Sequence, residues 1–227
     1  LEERVNDQVV EIARIARLKR FLPPQLAEMI VSSDEANFLE SHRREVSILF
    51  CDLRGFTSFS EVAAPEDVML ILREYHAALG RLIFKFGGTL ERFLGDGVMT
   101  LLNDPLPCLE PACQAVRLAV AMRDEMQTLL SKWRRYGHEL GFGVGIAHGY
   151  ATLGIIGFEG RSDYTAIGSV ANLASRLCDE AGANQILVSQ RVLAEAEHIV
   201  EVEAPLQLKL KGFHRPVAAY NLTRLKQ

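Results

Sequence analysis

The sequence lacks the features that mark membrane, secreted and nucleic-acid-binding proteins. No apolar run in its 227 residues approaches the roughly 18–20 residues that span a bilayer. Its first residues are charged, unlike those of a signal peptide. The net charge of -4 leaves no basic surplus of the kind that nucleic-acid binding requires. We therefore expect a globular chain that works in the cytoplasm and has no nucleic-acid partner.

The cysteines lack the spacing of a disulfide framework or a zinc motif. Cys51, Cys108, Cys113 and Cys178 form no CxxC pair, and no histidine lies near them at zinc-ligand spacing. We interpret all of them as buried, reduced thiols. This interpretation agrees with a reducing cytoplasm, where disulfides are rare.

The remaining composition is that of an ordinary globular protein, with 48% apolar and 24% charged residues. A chain of 227 residues suits one domain and an extension. The chain begins at Leu1 rather than at methionine, with a helical pattern already present. We therefore expect it to be part of a longer protein, with an upstream sensor domain and a possible membrane attachment outside this region.

The first 43 residues predict a helical transducer or linker segment. In residues 1–22 apolar side chains recur at steps of four and three, with Gln8 in one position of the series: Leu1, Val5, Ile12 and Ile15. This coiled-coil pattern covers only about three heptads, so an ordinary amphipathic helix remains open. Pro23 and Pro24 then end the helix, because proline lacks a backbone donor. We assign residues 1–43 to this segment and residues 44–227 to the main domain.

Strand and helix patterns alternate in the main domain. Helices are predicted at residues 65–86, 111–136, 170–180 and 191–197. Strands are predicted at residues 46–51, 88–93, 98–102, 142–147, 151–156 and 186–189, followed by a closing hairpin at residues 207–222. A ββ hairpin between two βα units is typical of an α+β protein with a ferredoxin-like βαββαβ core, here with additional C-terminal strands.

Asp52 ends the first predicted strand and precedes a turn that contains Gly55 and leads into a helix start. Backbone N–H groups at such a turn point outward together and favour an anion, so the turn is a candidate phosphate site. An aspartate at a strand end is also a common helix cap. The segment alone does not separate these two interpretations.

Asp96 lies in Leu94-Gly95-Asp96-Gly97, a sequence that predicts a tight hairpin. Taken alone, Asp96 is an ordinary turn residue. In a βαββ arrangement, however, the tip of this hairpin can lie beside the end of the first strand, so Asp52 and Asp96 would meet. Two carboxylates that share magnesium ions suit a triphosphate site, because hard cations prefer oxygen ligands.

A third polar segment, residues 163–176, leads from a strand end into a helix. Asn172 and Arg176 are four residues apart and therefore share one face of that helix. Polar residues on an exposed helix face are usually only solvated. Periodicity therefore assigns no role to this pair.

Together the three segments resemble the catalytic domain of class III adenylyl and guanylyl cyclases. The resemblance extends from Arg44 to Leu222, with the family's order and spacing. It is carried by Phe50-Cys51-Asp52-Leu53-Arg54-Gly55-Phe56-Thr57, by Phe93-Leu94-Gly95-Asp96-Gly97-Val98-Met99, and by Tyr164-Thr165 through Asn172-Leu173-Ala174-Ser175-Arg176. It implies an enzyme that closes a purine nucleoside triphosphate into its 3′,5′-cyclic monophosphate.

The resemblance also implies the cofactors and the site residues. Two divalent ions, Mg²⁺ or Mn²⁺, would be held by Asp52, Asp96 and the carbonyl of Leu53. Phosphate oxygens would be bound by the N–H groups of Gly55, Phe56 and Thr57, and by Lys209 and Arg161. Asn172 would orient the ribose, and Arg176 would stabilise charge on the phosphates in the transition state. The metal ligands would come from one chain and Asn172, Arg176 and the base-reading residues from the other, which implies a head-to-tail homodimer.

The position that reads the purine departs from the family pattern. Adenylyl cyclases generally carry lysine four residues before the second metal aspartate and guanylyl cyclases carry glutamate, whereas this chain has Arg92, with Thr165 at the partner position. Arginine can donate to adenine N1 or to guanine O6, and threonine can donate or accept. Because Thr165 resembles the adenylyl branch and no carboxylate is present for guanine, we expect ATP as substrate, with cyclic AMP and pyrophosphate as products.

Two other functions remain open on the sequence. One is a guanylyl cyclase that converts GTP to cyclic GMP. Another is a catalytically weak cyclase-like module for signalling or dimerisation, because a fold can persist without its chemistry. A diguanylate cyclase is disfavoured, because Gly87-Gly88-Thr89 lacks the acidic continuation of that family's signature.

Overall fold

The computed structural model describes residues 40–158 and 161–226. The helices are α1 (Phe56–Val62), α2 (Pro65–Lys85), α3 (Pro111–Arg135), α4 (Ser169–Glu180) and α5 (Gln190–Ala196). The strands are β1 (His42–Arg54), β2 (Thr89–Leu94), β3 (Gly97–Leu102), β4 (Gly141–Phe158), β5 (Arg161–Ile167), β6 (Ile186–Ser189), β7 (Val200–Val202), β8 (Leu206–Leu208) and β9 (Val217–Leu225). The coiled-coil prediction for residues 1–22 lies outside the described residues. Within the described part, no helix is long and apolar enough to cross a membrane.

The strands form one sheet in the order β2-β3-β1-β4-β6-β9-β7, with β5 paired to β4 and β8 paired to β9. β1 lies between β3 and β4 and is antiparallel to both. α2 connects β1 to β2, and α3 connects β3 to β4. The predicted α+β class and ferredoxin-like βαββαβ core are therefore confirmed, together with the additional C-terminal strands.

Helices cover both faces of this sheet. Val144 and Ile146 of β4 are fully buried in the cluster formed with side chains of α2 and α3. Gly145 faces the other side, because successive strand residues point to opposite faces. A Cβ on Gly145 would lie 2.1 Å from the backbone nitrogen of Cys178 on α4. Glycine is therefore what allows α4, the helix with the predicted ribose and transition-state residues, to pack directly on β4.

The two longest strands extend further than the sequence predicts. β1 begins at His42 rather than at residue 46, and β4 runs unbroken through residues 148–150, so the predicted division into two strands is wrong. The extra residues of β1 and β4 pair with each other, as in Arg44 with Ala151. Their hydrogen-bond partners lie far along the chain, so local composition could not reveal them.

The outer half of β4 forms a ribbon with β5. Thr152 pairs with Ile167, and the pairing continues to Phe158 and Arg161. The sequence predicted the strand at residues 151–156 but only a strand end in place of β5, and it did not predict β7. The closing hairpin is present as the antiparallel pair β8 and β9.

Candidate active site

The fold brings the two predicted metal carboxylates together. Asp52 lies near the carboxyl end of β1, and Asp96 lies at the tip of the hairpin between β2 and β3. Because β3 pairs with β1, the hairpin tip reaches the end of that strand. The backbone N–H of Leu53 donates to Asp96 Oδ2 at 3.1 Å. The side chain of Asp96 is thus hydrogen-bonded to Leu53, the residue that follows Asp52.

Both carboxylates are costly to ionise without a cation. Burial raises the pKa of Asp52 to about 6, although Arg54 opposes the shift and Asp96 adds to it. Burial also raises the pKa of Asp96, although N–H groups of its own backbone and of Leu53 oppose that shift. Desolvation and mutual repulsion therefore both disfavour the doubly ionised pair.

Arg54 is a site residue to which the sequence analysis gave no role. Its Nη1 lies 2.9 Å from Asp52 Oδ1, and its Nη2 donates to the carbonyl oxygen of Cys178 on α4. The guanidinium covers Gly143, where a Cβ would lie 2.4 Å from Nη2. The signal was present, because Arg54 stands inside the motif that contains Asp52, but its orientation depends on β4 and α4.

His76 is a second residue that the sequence did not indicate. It lies on α2 and forms a hydrogen bond of 3.0 Å between Nε2 and the carbonyl oxygen of Gly95. Its ring also lies against Phe93, with the ring centroids 4.0 Å apart. Gly95 has a φ of 68° in the hairpin turn, a conformation that favours glycine. His76 therefore supports the loop that presents Asp96, and no local pattern marks this contact.

The residues present fit a divalent cation. Asp52 Oδ1 is buried and has no hydrogen-bond partner. Arg54 Nη1 is close enough for an ion pair, but the N–H geometry does not complete a hydrogen bond with that oxygen. Asp52 thus offers a buried oxygen without a hydrogen-bond partner, and Asp96 offers a second carboxylate whose pKa is raised. Mg²⁺ and Mn²⁺ take oxygen ligands of this kind. Bound cations would favour the ionised carboxylates and so oppose the rise in both pKa values that burial causes.

The candidate phosphate cradle lies beside this pair. Gly55 precedes α1 and has a φ of 82°, and no side chain caps the helix. The N–H groups of Gly55, Phe56 and Thr57 stand at this uncapped end, where helical N–H groups have no partner within the helix. The turn therefore offers donors to an anion at the end of the strand that carries Asp52.

The predicted ribose and transition-state residues share one helix, α4. Asn172 is exposed on α4. Arg176 Nη1 forms an ion pair of 2.7 Å with Asp179 Oδ2. Across the part of the chain that the structure describes, no hydrogen bond or ion pair joins either residue to Asp52 or Asp96.

The predicted base-reading residues lie on different strands. Arg92 of β2 is held by the neighbouring Glu91, through contacts of 2.5 Å from Nε and from Nη2 to the two carboxylate oxygens. The pairing of β2 with β3 shifts register between Leu90 and Arg92, which indicates a bulge at this point. Thr165 lies on β5 opposite Gly154 and is half-buried.

The remaining predicted phosphate contacts lie in β5 and in the segment that follows β8. Lys209 is exposed and follows β8. Arg161 is the first residue of β5. The described chain thus gathers the carboxylates and the phosphate turn at one place, and it leaves the other predicted site residues on separate elements.

Comparison with known proteins assigns this arrangement to a family. A family model described as the adenylate and guanylate cyclase catalytic domain matches residues 39–224. The chain belongs to this family.

Two curated adenylate cyclases are among its relatives. The adenylate cyclase of Anabaena cylindrica is 33% identical over 216 residues, which are 90% of this chain and 42% of that protein. Adenylate cyclase 1 of Rhizobium meliloti is 30% identical over 195 residues, which are 85% of this chain and 29% of that protein. The chain therefore spans less than half the length of either relative.

Two solved cyclase structures share the fold. The adenylyl cyclase CyaB of P. aeruginosa has a TM-score of 0.80 and 35% identity, with 83% of this chain and 98% of that chain covered. The guanylyl cyclase Cya2 has a TM-score of 0.78 and 32% identity, with 82% of this chain and 95% of that chain covered. The chain is about equally similar to both structures. The choice between ATP and GTP therefore depends on the residues of the site.

Proposed function

We propose that this domain is an adenylyl cyclase, which converts ATP to 3′,5′-cyclic AMP and pyrophosphate with two divalent metal ions at the interface of a homodimer. The observation that carries the proposal is the approach of Asp52 and Asp96 beside the uncapped end of α1. One oxygen of the Asp52 carboxylate there is buried and has no hydrogen-bond partner. Identity of 30% to Adenylate cyclase 1 of Rhizobium meliloti and of 35% to CyaB supports ATP as the substrate.

The residues of one chain would bind the triphosphate and the metals. Asp52, Asp96 and the carbonyl of Leu53 would hold two Mg²⁺ or Mn²⁺ ions, which when bound neutralise phosphate charge and activate the attacking oxygen. The N–H groups at the start of α1 would orient the phosphates. In the reaction, the ribose 3′-oxygen bonds to the α-phosphorus while the bond from that phosphorus to the pyrophosphate oxygen breaks.

The second chain would complete the site. Asn172 would orient the ribose, and Arg176 would stabilise charge that develops on the phosphates. Arg92 and Thr165 would contact the base, and Lys209 and Arg161 would contact phosphate. In the described residues Asn172 and Arg176 form no hydrogen bond or ion pair with the carboxylates, which agrees with a site shared between two chains.

The region before the catalytic domain would transmit a signal. Residues 1–43 would act as a helical transducer or linker, with the catalytic domain in residues 44–227. The chain spans 42% of the Anabaena cylindrica relative, which agrees with a longer protein that includes an upstream sensor. The domain itself would act in the cytoplasm.

A direct assay tests the proposal. The purified chain is incubated with ATP or GTP and Mn²⁺ or Mg²⁺, and cyclic mononucleotide is measured. Asp52→Ala and Asp96→Ala should each abolish cyclisation while leaving a folded protein, because each removes a ligand of the same metal site. Asp124→Ala is a matched control, because Asp124 is exposed on α3 away from the site. Near-normal activity of either site variant in Mg²⁺ would contradict the metal assignment.

Guanylyl cyclase activity is the second candidate. It is favoured by the 32% identity to the guanylyl cyclase Cya2. A higher turnover of GTP than of ATP in the same assay would select it. Absence of cyclic product from both nucleotides would instead indicate a cyclase-like module with a signalling or dimerisation role.

A further inference from the structure

A second group of metal-binding side chains lies outside the candidate active site. Ligand atoms of Glu110, Cys113 and His198 all lie within 4.8 Å of one another. Glu110 immediately precedes α3, Cys113 lies in the first turn of that helix, and His198 lies between α5 and β7. The sequence analysis missed this group because His198 is distant from both other residues in the chain.

The Cys113 thiol of this group is buried. Cys113 is only 2% exposed, and its Sγ donates to the carbonyl oxygen of Glu195 at 3.5 Å. Burial raises the pKa of the Cys113 thiol, and the charge of Glu110 adds to the shift, whereas Arg117 opposes it. A nearby cation would favour the thiolate and lower the same pKa.

A cavity adjoins two of the three side chains. Its volume is about 220 Å³, and Glu110 and Cys113 line it together with Glu45, His148 and Glu195. Three carboxylates facing one small space attract positive charge. The cavity is also large enough to supply a water molecule to a metal ion.

We propose that Glu110, Cys113 and His198 bind one Zn²⁺ ion, with a water molecule from the cavity as the fourth ligand. Zn²⁺ binds thiolate, imidazole and carboxylate in tetrahedral geometry, whereas Mg²⁺ prefers oxygen ligands alone. At zinc-ligand bond lengths, neighbouring ligand atoms stand about 3.3–3.8 Å apart, which small side-chain rotations from the present positions would reach. Binding releases the Cys113 thiol proton to solvent and forms the bond between Zn²⁺ and Sγ.

This zinc site is separate from the proposed catalytic metals. Glu45, which lines the adjoining cavity, lies seven residues before Asp52 on β1, or roughly 23 Å along an extended strand. The ion would link the start of α3 to the segment between α5 and β7. Zinc binding should therefore stabilise the fold whether or not the domain is an active cyclase.

Zinc titration of the full chain tests the proposal. Zn²⁺ is added in the presence of excess Mg²⁺, which occupies the oxygen-ligand site, and a chromogenic chelator competes for the free ion. We expect one tight Zn²⁺ per chain and a rise in Tm of roughly 5–10 °C at a hundredfold excess over Kd. His198→Gln should weaken binding by about tenfold or more, and it should fold normally because His198 is exposed.

Cobalt identifies the ligands directly. Co²⁺ in place of Zn²⁺ should give a thiolate-to-metal charge-transfer band that Cys113→Ser removes. Cys108→Ser is the matched control and should keep the band, because Cys108 lines the same cavity but is not one of the three ligands. Asp52→Asn should also keep it. Unchanged affinity in His198→Gln, loss of the band in Cys108→Ser, or a cobalt complex without the band would each overturn the proposal.

Discussion

At the residue scale, the ionised carboxylate of Asp52 destabilises the folded chain, and a bound cation would remove this destabilisation. Its pKa rises from 3.8 to about 6, mainly through burial. The folded metal-free chain therefore binds this proton more tightly than the unfolded chain does. Its free energy of unfolding should fall as pH rises from about 4 to about 6 and should stay reduced above that range.

We predict that Asp52→Asn stabilises the metal-free chain at neutral pH. The expected gain in the free energy of unfolding is about 1–3 kcal/mol, and it should shrink towards about pH 4, where the wild-type carboxyl is protonated. Denaturant unfolding in a chelator at both pH values measures this effect. Added Mn²⁺ should stabilise the wild type much more than the variant. A loss of stability in Asp52→Asn that is equal at both pH values would show that burial does not control this group.

The contacts of Arg92 within one chain do not decide whether it binds the purine base. It forms a two-point ion pair with Glu91, whose side chain is 0% exposed. An arginine held in this way is either presented to the base or only neutralises its neighbour. The distinction depends on whether changes at Arg92 alter the choice between ATP and GTP.

We predict that Arg92→Lys preserves or raises ATP turnover, whereas Arg92→Glu lowers it tenfold to over a hundredfold. A carboxylate that faces adenine N1 is left unpaired, at a cost of about 1.4–3 kcal/mol, which converts to that range of rates. The same change should favour GTP, whose N1–H and amino group can donate. Thr165→Ala should cost less. Turnover of both nucleotides is compared with that of Glu91→Gln, which removes the ion pair alone. An unchanged ATP-to-GTP ratio in Arg92→Glu would remove Arg92 from the base pocket.

The sequence predicted some of these residues better than others. The approach of Asp96 to the end of the first strand could be predicted from the βαββ arrangement, although neither local segment alone distinguished a site residue from an ordinary cap or turn. The contacts of Arg54 with Cys178 and of His76 with Gly95 could not be predicted, because they join separate elements.

At the element scale, local pattern predicted the helices well and the longest strands poorly. α2 and α3 match their predictions to within about one residue, because proline opens each of them and apolar periodicity continues through them. β4 was predicted as two strands because Gly149 and its neighbours look like a turn. Their pairing with β1 overrides that local preference.

Gly145 shows how one residue fixes the position of an element. We predict that Gly145→Ala displaces α4, lowers the free energy of unfolding by about 1–3 kcal/mol or more, and reduces cyclisation. The added Cβ would lie 2.1 Å from Cys178 N and 2.4 Å from Ala174 O, both backbone atoms that must shift. Gly149→Ala is the matched control on the same strand, because its Cβ would lie 3.1 Å from the flexible end of the Arg191 side chain and at an ordinary contact distance of 3.8 Å from Val170. Denaturant unfolding and cyclic nucleotide formation are measured for both. Equal stability and activity in the two variants would refute the close packing of α4.

At the scale of the whole molecule, the proposed function predicts a dimer. One chain presents carboxylates and the phosphate turn, while Asn172 and Arg176 lie on α4 without a hydrogen bond or ion pair to those carboxylates in the described residues. A two-fold head-to-tail pair would place the second group of one chain opposite the first group of the other and so form two equivalent sites.

We predict that two inactive variants, Asp52→Ala and Asn172→Ala, recover activity when they are mixed. A heterodimer contains one site with both defects and one intact site, so random exchange in an equal mixture should restore about a quarter of wild-type activity. Cyclic nucleotide formation is measured after subunit exchange, which is verified with differently tagged chains. Asp52→Ala mixed with Asp96→Ala is the control and should stay inactive, because both defects lie on the metal side and every site retains one. If the first mixture stays inactive despite exchange, all catalytic groups act from a single chain. Recovery in the control would mean that each site takes Asp52 from one chain and Asp96 from the other. That result would contradict the hydrogen bond within one chain between Leu53, the residue that follows Asp52, and Asp96.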